Sequence, residues 1–371
     1  MKKSILIVSN SLRSTIRFRM WMINRMVEEG SSVVIAAPFE GLSPVDTHLV
    51  KYVNYSMDRK SISLFDNFKI ILAYNKLLKL KKFDMVFGYT TKPALFFPLL
   101  LSLSKVEVFS IFTGLGSGFL KIENSILVRK IAQFLLIFSN SVVVLNSDDK
   151  DFLIKKVGVR SKKIFVLPGE GIDINHYSYS QPIQKNELHF LFVSRLIKDK
   201  GVDELLCASK KIYNMGAKKF ILTIVGDIDS GNPSSILPSK ILEFSNIDYI
   251  RHIPETNSIE RYIEQSDVFI LPSYREGLSR AALEACSIGR ACIVSKVPGL
   301  VELVDNDYNG LIVSSRSAES LVFAMMDILS RDYKEIELMG RRSRAKLENK
   351  YDLDSVYESF KLVIKDNETH F

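Results

Sequence analysis

Val268-Phe-Ile-Leu-Pro-Ser-Tyr-Arg-Glu-Gly-Leu-Ser-Arg-Ala-Ala-Leu-Glu284 opens with four apolar residues in a row, crosses a loop bounded by Pro272 and Gly277, and ends in a run of good helix formers. A short, non-alternating apolar run bounded by turn residues reads as a strand buried on both faces, as in a parallel sheet. The segment therefore predicts a strand over 268–271, a loop over 272–277 and a helix from about Ser279. In open parallel sheets, ligands sit outside the carboxyl ends of the strands, and phosphates favour the N-termini of the following helices. The amides of Gly277, Leu278 and Ser279 are thus candidates to meet a diphosphate. Glu276 and Glu284, with seven residues between them, are candidates to reach a sugar and a nucleoside ribose. The alternative is a solvated loop acid and a salt-bridging helix acid.

The same strand-then-helix grammar runs through the chain. The first half predicts strands over 4–9, 32–37, 85–88, 107–111 and 141–145, with helices near 16–28, 68–81, 94–102, 125–139 and 147–155. A Pro-Gly break at 167–171 opens a polar stretch, so the expected division is a domain over 1–168, a linker over 169–187 and a second domain over 188–351. In the second half, strands are expected over 189–194, 220–226, 247–250, 268–271 and 291–295, with helices between them. Three helical stretches follow residue 313, and the last, about 352–371, is a candidate to pack back on the first domain. The fold class is α/β, with two doubly wound, Rossmann-like domains facing a central cleft.

A length of 371 residues with 47% hydrophobic content excludes disorder, and three cysteines exclude a disulfide scaffold, so a reduced, cytoplasmic setting is expected. The apolar run after Met1 ends at Ser9-Asn10, too early for a secretory signal, and the stretch 93–103 is too short for a spanning helix. Charge is uneven. Residues 1–168 carry 25 Lys/Arg against 12 Asp/Glu, whereas residues 169–371 carry 25 against 30. A basic half wants an anionic partner. No recognisable nucleic-acid-binding motif accompanies the charge, so an anionic membrane surface and a phosphorylated substrate fit better. The basic groups include Arg13, Arg17, Arg19 and Arg25, the cluster 76–82, and Lys121, Arg129 and Lys130. Ile126, Leu127, Ile131, Phe134, Leu135 and Phe138 near the last group are either core or a membrane-facing surface.

The Glu-(seven residues)-Glu pattern after a strand resembles the retaining glycosyltransferases of family 4, which have the GT-B fold. The resemblance covers most of the chain and is strongest over 190–313. Phe192-Val-Ser-Arg-Leu-Ile-Lys-Asp-Lys-Gly201 resembles that family's donor-diphosphate clamp, which implies that Arg195 and Lys200 neutralise the leaving diphosphate. Val225-Gly-Asp-Ile-Asp-Ser-Gly-Asn-Pro-Ser234 and Thr113-Gly-Leu-Gly116 resemble bacterial members that extend polyprenyl-diphosphate-linked saccharides. The implied activity is transfer of a hexose or N-acetylamino sugar from a nucleotide donor, expected to be UDP-linked, for surface polysaccharide such as O-antigen or capsule. The implied catalytic set is Glu276, Arg195 and Lys200, and the expected setting is the inner face of the cell membrane, held peripherally.

The chain departs from the family at two places. A loop Asn10-Ser-Leu-Arg-Ser-Thr-Ile-Arg17 replaces the frequent Gly-Gly pair after the first strand, and Gly88-Tyr-Thr-Thr-Lys-Pro93 places Thr91 or Lys92 where many relatives carry a histidine. Arg13, Arg17, Thr91, Lys92, Thr113 and Gly114 are the acceptor candidates. His48, His176, His189, His252 and His370 read as structural or solvated. No metal or other cofactor is expected, since Asp227-Ile-Asp229 fits a turn better than a chelate. A nucleotide-dependent dehydrogenase is the fold-level rival, but no Gly-x-Gly-x-x-Gly follows a first strand. A noncatalytic lipid- or polysaccharide-binding protein is the other alternative, and keeping both glutamates with Arg195 and Lys200 weighs against it.

Overall fold

The computed structural model describes residues 2–57, 64–115, 125–217, 219–229, 232 and 234–368. Gly116, Lys121, Ser230, Gly231, Pro233 and His370, which figure in the sequence reading, lie outside them. The chain divides into two units: residues 1–171 with 356–371, and residues 172–355.

In the first unit the elements run β1 (Ser4–Val8), α1 (Leu12–Glu28), β2 (Ser32–Ala37), β3 (Val50–Asn54), α2 (Leu64–Leu78), β4 (Met85–Tyr89), α3 (Thr91–Leu100), β5 (Glu107–Ile111), α4 (Ile126–Ile137), β6 (Ser141–Val144), α5 (Ser147–Phe152) and β7 (Ile164–Val166). The sheet is parallel in the order β3-β2-β1-β4-β5-β6-β7, so the order reverses between β1 and β4. Strand alternation sorts the apolar side chains by face. Leu6, Val8, Val34, Val86 and Val108 meet Ile70, Tyr74 and Leu77 of α2 and Phe97 of α3. Val142 and Val144 meet Ala132 and Leu136 of α4. On the opposite face Phe87 stacks on Phe109 at 4.8 Å, and Phe360 lies 5.3 Å from Phe87.

The second unit runs β8 (Leu188–Val193), α6 (Val202–Asn214), β9 (Phe220–Val225), α7 (Pro238–Ser245), β10 (Ile250–Ile253), α8 (Ile259–Gln265), β11 (Val268–Leu271), α9 (Arg280–Ile288), β12 (Ala291–Ser295), β13 (Gly310–Val313), α10 (Ala318–Ser330) and α11 (Tyr333–Glu348). Its sheet is parallel in the order β10-β9-β8-β11-β12-β13 and reverses between β8 and β11. A last helix, α12 (Leu353–Glu368), begins in this unit and passes at Val356 into the first. There Val356, Tyr357, Phe360 and Val363 are buried.

Several local outcomes differ from expectation: β10 falls at Ile250–Ile253 rather than 247–250, α1 begins at Leu12 rather than near residue 16, and β7 was not anticipated. Helix α3 begins at Thr91 rather than near residue 94, because Pro93 sits in the first turn, where a missing N–H costs nothing. Strand β3 was not anticipated: Lys51 and Asn54 are exposed and hide its pattern, and it lies at a sheet edge. The stretch 169–187 is no free linker. Ile172 and Tyr177 are buried in the core of the second unit.

Candidate active site

A sheet whose strand order reverses opens a crevice at the carboxyl ends of the two strands flanking the reversal. In the second unit those strands are β8 and β11. After β8 the chain turns through Ser194–Ile197, takes one 3-10 turn over Lys198–Lys200, and enters α6 through Gly201 with φ +74°. After β11 it runs through the loop 272–278 to Ser279, whose hydroxyl caps α9 by accepting from Ala282 N at 3.3 Å. Glycine is needed where these segments touch. A Cβ on Gly201 would stand 2.2 Å from Pro272 O, and one on Gly299, φ +76°, would stand 2.1 Å from Gly277 O.

The two segments bring predicted residues together. Lys200 Nζ lies 2.5 Å from Glu276 Oε1, with side-chain exposures of 18% and 9%. Ser273 Oγ donates to the same oxygen at 2.7 Å. Arg195 is more open and pairs through Nη1 with Asp229 Oδ2 at 2.6 Å, where Asn232 Nδ2 also donates at 2.9 Å. Asp227 instead accepts from the Glu255 amide at 2.8 Å, so the two aspartates of that loop serve different partners. Among the described residues, no three of His, Cys, Asp and Glu gather as a metal-binding group.

Glu284 is buried within α9. Its Oε1 accepts from Tyr177 OH and from Arg280 Nε, each at 3.0 Å. Burial is the main cause that pushes the Tyr177 hydroxyl up to about 12, with the Glu284 charge next. Neither partner was named from the sequence, although the salt bridge to Arg280 is the alternative reading given there for Glu284. Arg280 was legible as the i−4 neighbour of Glu284 on one helix face. Tyr177 had no such signal, since it comes from the stretch read as a linker.

The first unit places the acceptor candidates around its own reversal point. Arg13 and Arg17 are exposed on the first turns of α1, after β1, while Thr91 and Lys92 begin α3, after β4. Thr113 and Gly114 follow β5. The loop after β1 is tied by Ser9 Oγ to Thr15 Oγ1 at 2.6 Å and by Ser11 Oγ to Glu40 Oε2 at 2.5 Å. Arg19, named before only as part of a basic group, is 4% exposed and pairs with Glu170 at 2.6 Å beneath the Tyr89 ring.

Of the histidines, His252 Nε2 meets Gly226 O at 2.9 Å, and His176 lies edge-on to Tyr177. His189 lines an open pocket of about 280 Å³ with Lys185, Thr223, Arg251 and Tyr262. Burial, with Lys185 next in effect, pulls its pKa below the usual value.

The model of the glycosyl transferases group 1 family matches residues 173–350, the span that holds Arg195, Lys200, Glu276 and Glu284. Residues 173–350 are a glycosyl transferases group 1 domain. The chain is 26% identical over 333 residues to the N,N'-diacetylbacillosaminyl-diphospho-undecaprenol alpha-1,3-N-acetylgalactosaminyltransferase of Campylobacter jejuni, covering 85% of this chain and 86% of that protein. It is 27% identical over 310 residues to the UDP-Gal:alpha-D-GlcNAc-diphosphoundecaprenol alpha-1,3-galactosyltransferase of Escherichia coli, covering 79% and 78%. Among solved structures, the sucrose-phosphate synthase of Thermosynechococcus elongatus superposes with a TM-score of 0.83 at 16% identity, covering 100% of both chains. The fold is therefore GT-B, and the group 1 domain is its second unit.

Proposed function

We propose that the protein is a retaining glycosyltransferase that moves a sugar from a UDP-linked donor to a hydroxyl of a polyprenyl-diphosphate-linked saccharide during bacterial surface-polysaccharide assembly. The observation that carries this reading is the Lys200–Glu276 pair at the β8/β11 reversal, with Arg195 on the same β8 loop. As the donor's glycosidic bond breaks, negative charge grows on the leaving diphosphate, and fixed cations in a partly dry site stabilise that charge. Lys200 and Arg195 take this role, and the amides of Gly277, Leu278 and Ser279 complete the diphosphate site. Glu276 holds the sugar hydroxyls, and Glu284 holds the ribose.

The leaving phosphate is itself basic enough to take the acceptor proton in a front-side displacement, so no strong protein base is required. Arg13, Arg17, Thr91, Lys92, Thr113 and Gly114 are assigned to the acceptor. Support for a lipid-diphosphate acceptor comes from the names of both curated relatives, and support for UDP from the name of the Escherichia coli enzyme. Such an acceptor meets the enzyme at the cytoplasmic face of the membrane, so the protein associates there peripherally. Among the described residues, no helix is long and apolar enough to cross a membrane. The test is nucleoside diphosphate release from a panel of nucleotide sugars, with a short-chain polyprenyl-diphosphate saccharide as acceptor. Release that no acceptor of this class stimulates overturns the reading.

A further inference from the structure

On α4, Ile126 and Leu127 are each 70% exposed, Ile131 49%, Phe134 52% and Ile137 59%. At about 100° per residue these five side chains fall within an arc of about 140°. Ala132, Leu135 and Leu136, on the other side of the helix, are buried. The charged residue inside the arc is Lys130, which donates to Gln133 Oε1 at 3.3 Å. The sequence left these apolar residues open between core and surface; α4 splits them, sending Leu135 inward and Ile126, Leu127, Ile131 and Phe134 outward. Five large apolar side chains on one helix face form a contiguous patch, which on a soluble protein marks a surface that something covers.

Charge selects the occupant. Residues 125–168 carry eight Lys/Arg against three Asp/Glu. Two contacts bring that charge to the helix. Gln133 Nε2 donates to Gly158 O at 3.1 Å, and Lys163 Nζ donates to the carbonyls of Ile137 and Ser139 at 2.7 and 2.8 Å. Lys130 is exposed on the helix itself, and Lys156, Arg160 and Lys162, all exposed, neighbour Gly158 and Lys163 in sequence. A second copy of this chain, docked symmetrically, would set this basic rim against itself. An anionic bilayer satisfies both features, with hydrocarbon for the arc and headgroups for the rim. We propose that α4 lies in the plane of an anionic membrane surface, with Ile126, Leu127, Ile131, Phe134 and Ile137 inserted below the headgroups. The proposal rests on the reading that the acceptor is lipid-linked, and names the element that holds the enzyme beside it.

The test uses the full chain, sedimented with vesicles of phosphatidylcholine alone or mixed with phosphatidylglycerol, with no saccharide acceptor present. The wild type pellets with the anionic vesicles. Leu127→Glu combined with Phe134→Glu weakens that binding about tenfold or more. Ile126→Gln combined with Ile137→Gln moves it in the same direction without adding charge, and both variants sit at exposed positions and keep the wild-type melting curve. Raised salt weakens the wild type without abolishing binding, because inserted side chains are not screened. Failure of the wild type to pellet, or wild-type binding by the Gln pair, overturns the proposal. So does a dimer, seen by light scattering, that either pair dissolves. Nucleoside diphosphate release with a soluble short-chain acceptor is read in parallel. Its persistence in both variants leaves the transferase reading standing if the membrane proposal fails.

Discussion

Lys200 Nζ and Glu276 Oε1 lie 2.5 Å apart across the point where the second sheet reverses its strand order. Each therefore already has a counter-charge, and under the proposed function a donor diphosphate has to compete with the glutamate for the same ammonium. Glu276→Gln removes the competitor but also the proposed sugar contact. Nucleoside diphosphate should bind about three- to tenfold more tightly to this variant, while turnover falls about 100-fold or more. Calorimetric titration of UDP and steady-state turnover check the two arms; weaker UDP binding counts against the competition.

The role proposed for Arg195 is to meet charge that grows in the transition state. Arg195→Ala should lower kcat more than it raises the KM for the nucleotide sugar. Its present partner, Asp229, has only to release one bond, since Asn232 also holds that carboxylate. A change confined to KM would assign Arg195 to ground-state binding alone.

With Arg195 and Lys200 as the proposed fixed cations at the leaving group, activity is expected to persist in excess EDTA. Loss of activity that magnesium or manganese restores would contradict that assignment.

Glu284 is 1% exposed, and one of its oxygens takes both Tyr177 OH and Arg280 Nε. Arg280→Ala leaves this acid buried with its cationic partner gone. The second unit should lose about 2 kcal/mol of stability, read as a lowered urea midpoint. Glu284→Gln combined with Arg280→Ala should lose less than Arg280→Ala alone, since no unpaired charge remains.

His189 has its pKa pulled below the ordinary 6.5 by burial and by Lys185. The unfolded chain therefore binds this proton more readily, so the stability His189 contributes is full above its unfolded pKa and is lost as pH falls through it. Between about pH 7.5 and pH 5, His189→Asn should show a smaller fall in Tm than the wild type. An equal or larger fall in the variant removes His189 as a source of acid sensitivity.

The strand-loop-helix at 268–284 was legible because a buried parallel strand leaves a continuous apolar run, and because Ser279 announces its helix as a cap. Strand β3 was not, since an edge strand with exposed Lys51 and Asn54 looks like loop. The chemistry divides the same way. Glu276 was named from its place in the loop after a buried strand and Lys200 from a family resemblance, but their meeting depends on the β8/β11 pairing, which brings together segments 76 residues apart. Tyr177 lies 107 residues from Glu284 in sequence, and no local pattern ties a hydroxyl to a carboxylate at that distance.

Helix α12 gives the first unit its last packing surface, with Phe360 against Phe87 and Tyr357 against Trp21 at 6.3 Å. Tyr357 lies 248 residues beyond Phe109 in the sequence, on the far side of the whole second unit. At roughly 5 to 20 residues per second, the sheet face carrying Phe87 and Phe109 waits about 12 to 50 s after its own synthesis for α12 to be made. The usual order, in which an N-terminal domain is complete before the next one is translated, therefore does not hold for this first unit. Until residues 172–355 have been made, an aromatic sheet face is presented to whatever chaperones attend the nascent chain.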